Sequence, residues 1–409
     1  MEFIIARKSA ECRRCGFCAL VCHTSASCCG CAACVAACPY EARVIDRIEE
    51  QRETVPITVN HELHLVPARI SVVKALELIG FKPIIFKEAS MGDTELLVPC
   101  RTGGCWSCAV VINGQLRPSC ITPVEAGMEI VTDHTVLVNE TPKRLVSGFQ
   151  GHAVGGVGTP YWLKPRAWGS RNIEVACFAH GCILRCPTCQ NWQLTYSAAE
   201  EPLTPEETAR LLTYERRRHG VDRMAISGGE CTLNRRWLLN YLQALKRLNR
   251  DEKARLHVDT NAVVLTADYI DALYQAGATD IGADVKGLDL ETFVRISGLK
   301  DRELATNLLR TEWQAVKYLI DEYSDKLFVG IGIPYNETLI SLEEIRRIGD
   351  RIASWSPEIQ VSALDYRPAF RSRDIRKPLH TEMRVVKRVL EESGLRCVIC
   401  QTELGMIGP

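Results

Sequence analysis

The chain has 409 residues, of which 46% are hydrophobic and 24% charged, enough for about two or three globular domains with separate cores. Lysine plus arginine and aspartate plus glutamate both number 50, so no bulk charge draws the chain to nucleic acid or to an anionic membrane. The opening residues lack the apolar core of a secretion signal, and no stretch has the apolar length needed to span a bilayer. We therefore expect a cytoplasmic location, with neither a membrane nor a nucleic acid as partner.

The chain contains 20 cysteines, which without a secretion signal favour metal coordination over disulfides. Nine of them fall between Cys12 and Cys38, in a segment whose other residues are mostly small. Such a segment cannot fold by apolar burial alone and needs metal as its core. Residues 1–50 are therefore predicted to form a small, cluster-stabilised module.

Short strand-like runs and one helical run, ending at Gly80, follow from Val55 to about Val138. The Asn113-Gly114 pair between two apolar runs is a strong hairpin signal. Residues 55–140 are therefore predicted to form an α+β domain on a mixed sheet. Residues 141–170 are rich in glycine and proline and are interpreted as a linker, or a loop packed over a domain surface.

From residue 171 to residue 409, six strand-like runs alternate with helical segments. The runs are NIEVACF, DRMAIS, ARLHVDT, TDIGADVK, KLFVGIGIP and EIQVSALDY. Helices are predicted at Arg235 to Asn249, Ala267 to Ala276, Thr306 to Tyr323, Leu342 to Ser354 and Thr381 to Ser393, with another starting at Thr204-Pro205. Repeated β-then-α units imply an α/β fold with a parallel sheet curled into a barrel, and chemistry at the carboxyl ends of its strands.

The N-terminal cysteines form two copies of the spacing Cys-x2-Cys-x2-Cys-x3-Cys, and the second copy ends in Cys38-Pro39. This run resembles bacterial two-cluster ferredoxins, in which the fourth cysteine of each copy ligates the other cluster. The resemblance implies two [4Fe-4S] clusters, one on Cys12, Cys15, Cys18 and Cys38, the other on Cys28, Cys31, Cys34 and Cys22. His23 departs from the pattern, which has proline there, and structural zinc is the alternative.

A second group of cysteines resembles plant-type [2Fe-2S] ferredoxins, most closely the ferredoxin domain of succinate dehydrogenase iron-sulfur subunits. It comprises Cys100, Cys105, Cys108 and, beyond the hairpin, Cys120. Gly103 and Gly104 would let the backbone wrap closely round a cluster whose sulfides need N–H donors. The resemblance implies one [2Fe-2S] cluster on a β-grasp-like domain, with zinc again the alternative.

A third group, Cys182, Cys186 and Cys189, has the spacing Cys-x3-Cys-x2-Cys. Three thiolates leave one iron of a cubane without a protein ligand, and an open position on a metal is where a substrate or cosubstrate binds. At the end of the first predicted barrel strand, this spacing resembles the S-adenosylmethionine radical (radical SAM) superfamily. The resemblance covers about residues 171–409 and implies a partial (β/α)6 barrel. In this family the open iron binds S-adenosylmethionine, which one electron splits to methionine and a 5′-deoxyadenosyl radical.

Further motifs stand at the ends of later predicted strands, and they resemble those of pyruvate formate-lyase activating enzymes. In SGGE, Gly228, Gly229 and Glu230 match the loop that receives the cosubstrate amino group. Asp259 in DTN and Asp284 in DVK match aspartates that help to hold a monovalent cation, and Lys286 matches a lysine that contacts the cosubstrate carboxylate. Gly332 to Pro334 stand where a later strand lines the ribose.

These resemblances imply an enzyme that abstracts hydrogen from an unactivated C–H bond, with a backbone Cα of a protein or peptide as the target. The additional clusters would relay electrons from an external donor such as ferredoxin or flavodoxin. One alternative is a cobalamin-dependent C-methyltransferase acting on a protein, for example methyl-coenzyme M reductase. Another is an electron-transfer protein without catalysis.

Five further cysteines have no assigned role in this interpretation. Burial as a small residue is the simplest expectation for Cys177, and Cys231 is expected near the radical. Cys397 and Cys400 are interpreted either as a redox pair or additional ligands, or as filler in a terminal strand. The sequence gives no indication for Cys29.

Overall fold

The computed structural model describes residues 2–22, 28–88, 91–163 and 171–409. The chain divides into two compact units. The first comprises Met1–Ser147, Ala179–Ile183 and Asn191–Thr204, and the second Gly148–Phe178, Leu184–Gln190 and Pro205–Pro409. His23 and residues 164–170 of the predicted linker lie outside the described residues.

The first unit contains short strands and helices. Its strands are β1 (Glu2–Lys8), β2 (Arg43–Glu49), β3 (Thr54–Val59), β4 (Glu62–Pro67), β5 (Lys82–Ile84), β6 (Glu95–Leu97), β7 (Ala109–Ile112), β8 (Gln115–Pro118) and β9 (Met128–Val131). Its helices are α1 (Ala33–Ala37), α2 (Val72–Leu78), α3 (His134–Leu137) and α4 (Trp192–Tyr196). Strands β1 and β2 form an antiparallel pair.

A five-stranded sheet in the order β4-β3-β9-β7-β8 carries the core of the first unit. It is mixed as predicted, since β3 pairs parallel with β9 but antiparallel with β4. The predicted hairpin is confirmed: Asn113 and Gly114 join β7 to β8 with φ of 49° and 74°, a conformation that asparagine and glycine tolerate. Helix α2 buries Val72, Ala75 and Leu76, at the i, i+3 and i+4 spacing of an amphipathic helix.

The second unit is an α/β structure on a nine-stranded sheet whose strands follow chain order, with β10 at its N-terminal edge. The strands are β10 (Val146–His152), β11 (Glu174–Ala179), β12 (Arg223–Gly228), β13 (Arg255–Thr260), β14 (Asp280–Asp284), β15 (Phe328–Tyr335), β16 (Gln360–Asp365), β17 (Cys397–Thr402) and β18 (Gly405–Ile407). The helices are α5 (Pro205–His219), α6 (Arg235–Leu248), α7 (Ala267–Ala276), α8 (Leu290–Ser297), α9 (Arg302–Tyr323), α10 (Leu342–Trp355) and α11 (His380–Glu392).

Strands β12 to β17 pair in parallel, so their carboxyl ends lie along the same edge of the sheet. Each predicted strand and helix of this region is present, within a few residues of its expected bounds. The helix expected from Thr306 begins earlier, because the Asp301 side chain accepts a 3.1 Å bond from the Leu304 backbone N–H and caps α9. This parallel edge is where the predicted motifs fall.

The predicted linker contains a strand and a segment that packs on the sheet. Strand β10 occupies its first part, and Gly155–Thr159 then lies against the sheet face. A Cβ on Gly330 of β15 would lie 2.6 Å from the carbonyl oxygen of Val157, so glycine is required for this close approach. Gln360 on β16 anchors the segment by donating to the carbonyl of Thr159 at 2.8 Å.

In the described part of the chain, every helix is too short or too polar to cross a membrane.

Candidate active site

The third group of cysteines follows β11. This strand ends at Ala179, and residues 180–191 form an irregular loop before α4 begins. Cys182, Cys186 and Cys189 are all partly buried in this loop; Cys182 belongs to the first unit, the other two to the second. Burial raises the pKa of the Cys186 thiol to about 12, a rise that the charge of Lys286 opposes. Coordination to a metal would deprotonate such a thiol outright, so the raised pKa is compatible with a ligand role for Cys186.

Polar side chains converge at the carboxyl ends of β12, β13 and β14. Ser227 donates a 2.6 Å hydrogen bond to Oδ2 of Asp259, and the Lys286 ammonium donates to Oδ2 of Asp284. Neither Asp259 Oδ1 nor Asp284 Oδ1 has a hydrogen-bond partner among the described residues, although both atoms are buried. Two buried carboxylate oxygens without donors suit a cation or an ammonium group.

Burial raises the pKa of Asp259 to about 6; the bond from Ser227 opposes this rise and the charge of Asp284 adds to it. Lys286 responds in the opposite sense. Burial would lower its pKa, but the neighbouring Asp284 carboxylate raises it well above the ordinary value. The pocket therefore holds one firmly protonated ammonium group and two carboxylates that a bound cation would stabilise.

Glu230, the residue predicted to receive the cosubstrate amino group, makes several hydrogen bonds within the protein. It is 1% exposed, and its carboxylate is surrounded by donors from the protein. Oε1 accepts bonds from Thr232 N at 3.0 Å, Thr232 Oγ1 at 2.6 Å and Thr260 Oγ1 at 2.7 Å, while Oε2 accepts from Asn261 N at 2.9 Å. Through these hydrogen bonds Glu230 connects the loop after β12 with the loop after β13. Its contact with the cosubstrate stays a prediction.

Replacing Glu230 by alanine is therefore expected to lower the free energy of unfolding by about 1–3 kcal/mol or more, because buried donors lose their acceptor. The exposed Glu201 provides a matched control, for which Glu201→Ala should have almost no effect. Urea unfolding followed by circular dichroism measures both. Equal stabilities of the two variants would contradict this connecting role of Glu230.

Two residues of this pocket had not been singled out from the sequence. Tyr366, directly after β16, accepts a 2.9 Å hydrogen bond from the Lys286 ammonium. Glu312 on α9 is fully buried, accepts a 3.1 Å bond from the Lys286 backbone N–H, and has a pKa that burial raises well above the ordinary value. The position of Tyr366 at a strand end was a usable signal, whereas nothing in the α9 sequence marks Glu312.

The second group of cysteines is gathered in the interior of the first unit. Cys100, Cys105, Cys108 and Cys120 are all buried, and the sulfurs of Cys100 and Cys105 are 3.1 Å apart. Contacts with Cys105 and Cys120 hold the pKa of Cys100 well below its ordinary value. The backbone N–H of Thr102 points at the Cys100 sulfur, 3.4 Å away. Four converging thiols and an N–H donor fit the predicted [2Fe-2S] ligand set.

The N-terminal cysteines lie in two groups. Cys12, Cys15, Cys18 and Cys38 line one cavity of about 650 Å³, which also contains Lys8, Arg13, Arg14 and Arg43. Burial raises the pKa of Cys34 to about 11, and Cys22, Cys28 and Cys18 add to this rise. The cavity contains the four cysteines that the ferredoxin resemblance assigns to one cluster, and both cluster assignments stay predictions.

Cys29 and Cys31 interact with each other. The contact with Cys31 lowers the pKa of the Cys29 thiol to about 7. Within the described ranges, no three or more His, Cys, Asp or Glu side chains are arranged as ligands of a single metal ion. A polynuclear cluster distributes its thiolates over several irons, so its ligands need not converge on one ion.

The remaining cysteines differ in their surroundings. Cys177 is buried on β11 with its sulfur 3.6 Å from the Tyr241 hydroxyl, and Cys231 points at the Asp259 carbonyl at 3.3 Å. Cys397 and Cys400 are three residues apart on β17, which places them on opposite faces of the strand. That arrangement disfavours a redox pair.

A comparison of the sequence with protein families agrees with this geometry. The family described as the radical SAM superfamily matches residues 177–349. The matched segment includes the loop with Cys182, Cys186 and Cys189 and the strand ends with Asp259, Asp284 and Lys286. Residues 177–349 are thus similar to the radical SAM superfamily, whose members use a [4Fe-4S] cluster and S-adenosylmethionine.

Solved structures share only limited similarity with the chain. Streptococcus suis SuiB bound to S-adenosylmethionine is 20% identical, with a TM-score of 0.40 over 52% of this chain and 44% of that one. SuiB bound to the precursor peptide SuiA is 19% identical, with a TM-score of 0.40 over 52% and 43%. Coproporphyrinogen III oxidase (HemN) from Escherichia coli is 17% identical, with a TM-score of 0.33 over 46% and 44%.

The chain thus spans less than half the length of each of these proteins. No curated protein matches the chain.

Proposed function

We propose that the chain is a radical SAM enzyme that reductively cleaves S-adenosylmethionine and abstracts hydrogen from an unactivated C–H bond of a protein or peptide. The observation that carries this proposal is the convergence of Asp259, Asp284 and Lys286 beside Cys186 at one edge of the parallel sheet. These side chains lie within the segment that matches the superfamily. We further propose that this sheet forms the partial barrel typical of that family.

Cys182, Cys186 and Cys189 would hold a [4Fe-4S] cluster with one iron open to the cosubstrate. When bound, this cluster supplies the electron that splits the sulfonium of S-adenosylmethionine. The protein side chains have binding roles. The Lys286 ammonium suits the cosubstrate carboxylate, and the partnerless oxygens of Asp259 and Asp284 suit its amino group or a monovalent cation nearby.

The loop of Gly228 and Gly229 would approach the cosubstrate through its backbone. Gly228 has a φ of 114°, a conformation that side chains disfavour, and Glu230 fixes the loop through its bonds to Thr260 and Asn261. In this arrangement Glu230 positions the binding loop. The strand containing Gly332 to Pro334 is proposed to line the ribose.

The other cysteines would hold an electron relay with two further [4Fe-4S] clusters and one [2Fe-2S] cluster. The four buried thiols around Cys100 and the four that share the cavity of Cys12 support these assignments. An external low-potential carrier such as ferredoxin or flavodoxin would supply the electrons. The protein or peptide substrate is proposed from the resemblance to activating enzymes.

The test is product analysis by mass spectrometry after anaerobic reconstitution with iron and sulfide, using dithionite and S-adenosylmethionine. We expect 5′-deoxyadenosine and methionine to form in the wild type. No cleavage by a protein whose clusters are fully reconstituted would contradict the proposal and favour an electron-transfer protein.

The same analysis separates the proposed reaction from its closest rival. The cysteine groups of the first unit would also suit a cobalamin-dependent C-methyltransferase, because a corrinoid cobalt must be reduced between turnovers. S-adenosylhomocysteine together with a protein substrate heavier by one methyl group would favour the methyltransferase. 5′-Deoxyadenosine without methyl transfer supports hydrogen abstraction.

A further inference from the structure

We infer that the [2Fe-2S] centre is the immediate electron donor of the radical cluster, and that the two [4Fe-4S] centres of the N-terminal module supply it. This inference rests on the proposed function, because it assigns an order to the proposed relay. It is carried by contacts within the first unit between cysteine loops that are distant in the sequence.

The loop of the [2Fe-2S] centre lies directly against the start of the radical loop. A Cβ on Gly181 would lie 2.7 Å from the Cys105 backbone nitrogen and 3.2 Å from the Cys100 sulfur. A Cβ on Gly104 would lie 2.5 Å from the Gly181 backbone nitrogen. Both positions need glycine for this approach, and the residue after Gly181 is the predicted ligand Cys182. One predicted ligand sulfur of the [2Fe-2S] centre is thus in contact with the residue that precedes a ligand of the radical cluster.

Backbone hydrogen bonds hold the two loops together. Leu145 donates to the Gly104 carbonyl at 3.1 Å and accepts a 3.0 Å bond from the His180 N–H. The buried Arg144 guanidinium also donates to the His180 carbonyl at 3.1 Å. This contact is therefore built from backbone and a buried cation, and it fixes the start of the radical loop, up to Cys182, against the [2Fe-2S] loop.

The [2Fe-2S] loop also meets residues of the second N-terminal group. The sulfur of Cys29, which adjoins the predicted ligand Cys28, is 3.9 Å from the carbonyl oxygen of Ile121, the residue after Cys120. Cys22 and Cys31 line one cavity together with Gly103 and Ile121. The [2Fe-2S] loop is thus in contact with both the second N-terminal group and the start of the radical loop.

The first N-terminal group is at the outer end of this series. The backbone N–H of Cys22, a predicted ligand of the second group, donates a 3.1 Å bond to the carbonyl of Cys18, a predicted ligand of the first, which connects the two groups. Cys15 is exposed, and the cavity of the first group has four cationic residues and no acidic one in its lining. The order is therefore first [4Fe-4S], second [4Fe-4S], [2Fe-2S] and radical cluster. A low-potential one-electron donor is oxidised at the outer end, and each centre in turn gains and passes on a single electron.

A second contact could provide another route for electrons from the N-terminal module to the radical cluster. The rings of Phe17 and Trp192 meet edge-on with centroids 4.7 Å apart, and Trp192 follows Cys189 by three residues. The Phe17–Trp192 contact joins two side chains that are not predicted ligands. The contact at Gly181, in comparison, includes the sulfur of the predicted ligand Cys100. Variants of the two routes make the distinction measurable.

The experiment follows the reduced radical cluster by rapid-freeze-quench electron paramagnetic resonance after mixing the reconstituted chain with a reduced bacterial-type ferredoxin. In Cys108→Ala, which removes a [2Fe-2S] ligand, we expect the rapid phase of radical-cluster reduction to disappear. In Gly104→Ala, the [2Fe-2S] signal should remain, but the same phase should slow because the new Cβ displaces Gly181. Gly92→Ala, whose Cβ meets only ordinary contacts with Glu95, and Trp192→Leu should both retain the wild-type rate.

Dithionite is a small reductant that does not depend on the relay, so assays with it separate the proposed order of electron transfer from the proposed function. Cleavage of S-adenosylmethionine by Gly104→Ala at the wild-type rate with dithionite but more slowly with ferredoxin supports the order. A wild-type rate of radical-cluster reduction by ferredoxin in Gly104→Ala, or loss of that phase only in Trp192→Leu, would overturn the order and leave the proposed function intact. Absence of cleavage in the reconstituted wild type with dithionite would overturn the proposed function itself.

Discussion

Replacing Cys186 by alanine is expected to abolish S-adenosylmethionine cleavage and to remove about four irons per chain, because a [4Fe-4S] cluster loses one of its three thiolates. Cys186 is the candidate ligand whose surroundings are best defined: it is close to Lys286, Cys189 and Asp284, which all influence its pKa. The neutral thiol that burial favours in the protein alone would ionise on binding iron. The same loss is expected for Cys182→Ala and Cys189→Ala.

Two observations separate this effect from general unfolding. The four predicted [2Fe-2S] ligands lie between Cys100 and Cys120, so the [2Fe-2S] signal should persist in Cys186→Ala. Cys397→Ala is the matched control, since its partly buried thiol lies on β17 and should leave both iron content and cleavage unchanged. Iron analysis and 5′-deoxyadenosine assays measure the outcome. Unchanged iron content in Cys186→Ala would remove Cys186 from the ligand set.

Replacing Lys286 by methionine is expected to weaken S-adenosylmethionine binding about 10- to 100-fold, because hydrogen bonds to charged groups contribute about 1.5–3 kcal/mol. Lys286 is 5% exposed, and its ammonium is held by Asp284 and by the Tyr366 hydroxyl at 2.9 Å. Its raised pKa keeps it charged across the neutral range, so this contribution should not vary with pH there. Isothermal titration calorimetry on the reconstituted protein measures the affinity.

Lys286→Met also leaves the Asp284 carboxylate, whose side chain is 23% exposed, without its cation, at a cost in stability below the roughly 3–5 kcal/mol of a fully buried pair. The double variant Lys286→Met with Asp284→Asn removes this unpaired charge and should recover much of the stability, but not the affinity. Lys317→Met provides the control, since Lys317 pairs with Asp321 on the exposed surface of α9. Wild-type affinity in Lys286→Met would exclude this residue from cosubstrate binding.

The β/α alternation of the second unit could be predicted because parallel strands and amphipathic helices leave different periodicities in the sequence. The Asn113-Gly114 hairpin could also be predicted from the sequence, because its turn requires residues that tolerate positive φ. Strand β10 was not predicted, and the packing of Gly155–Thr159 on the sheet was expected only as one of two alternatives, a loop packed over a domain surface. Their glycines serve close backbone packing, and a glycine-rich sequence alone does not distinguish that use from a flexible connection.

At the site, the strand-end motifs led to Asp259, Asp284 and Lys286, which the structure brings near Cys186. The internal bonding of Glu230 could not be foreseen, because its donors Thr260 and Asn261 come from a different strand end. Glu312 was missed for the same reason: it reaches Lys286 from a helix 26 residues further along the chain. Tertiary contacts of this kind leave no periodic signal in the sequence.

The proposed cluster on Cys182, Cys186 and Cys189 has one iron that the protein leaves to S-adenosylmethionine. Electron-nuclear double resonance of this reduced cluster, with S-adenosylmethionine labelled by ¹⁵N in the amino group and ¹⁷O in the carboxylate, detects that bond directly. We expect magnetic coupling of both labels to the cluster in the wild type and none in Cys186→Ala. A fully assembled cluster that couples to neither label, with a fourth protein side chain on its remaining iron, would contradict it.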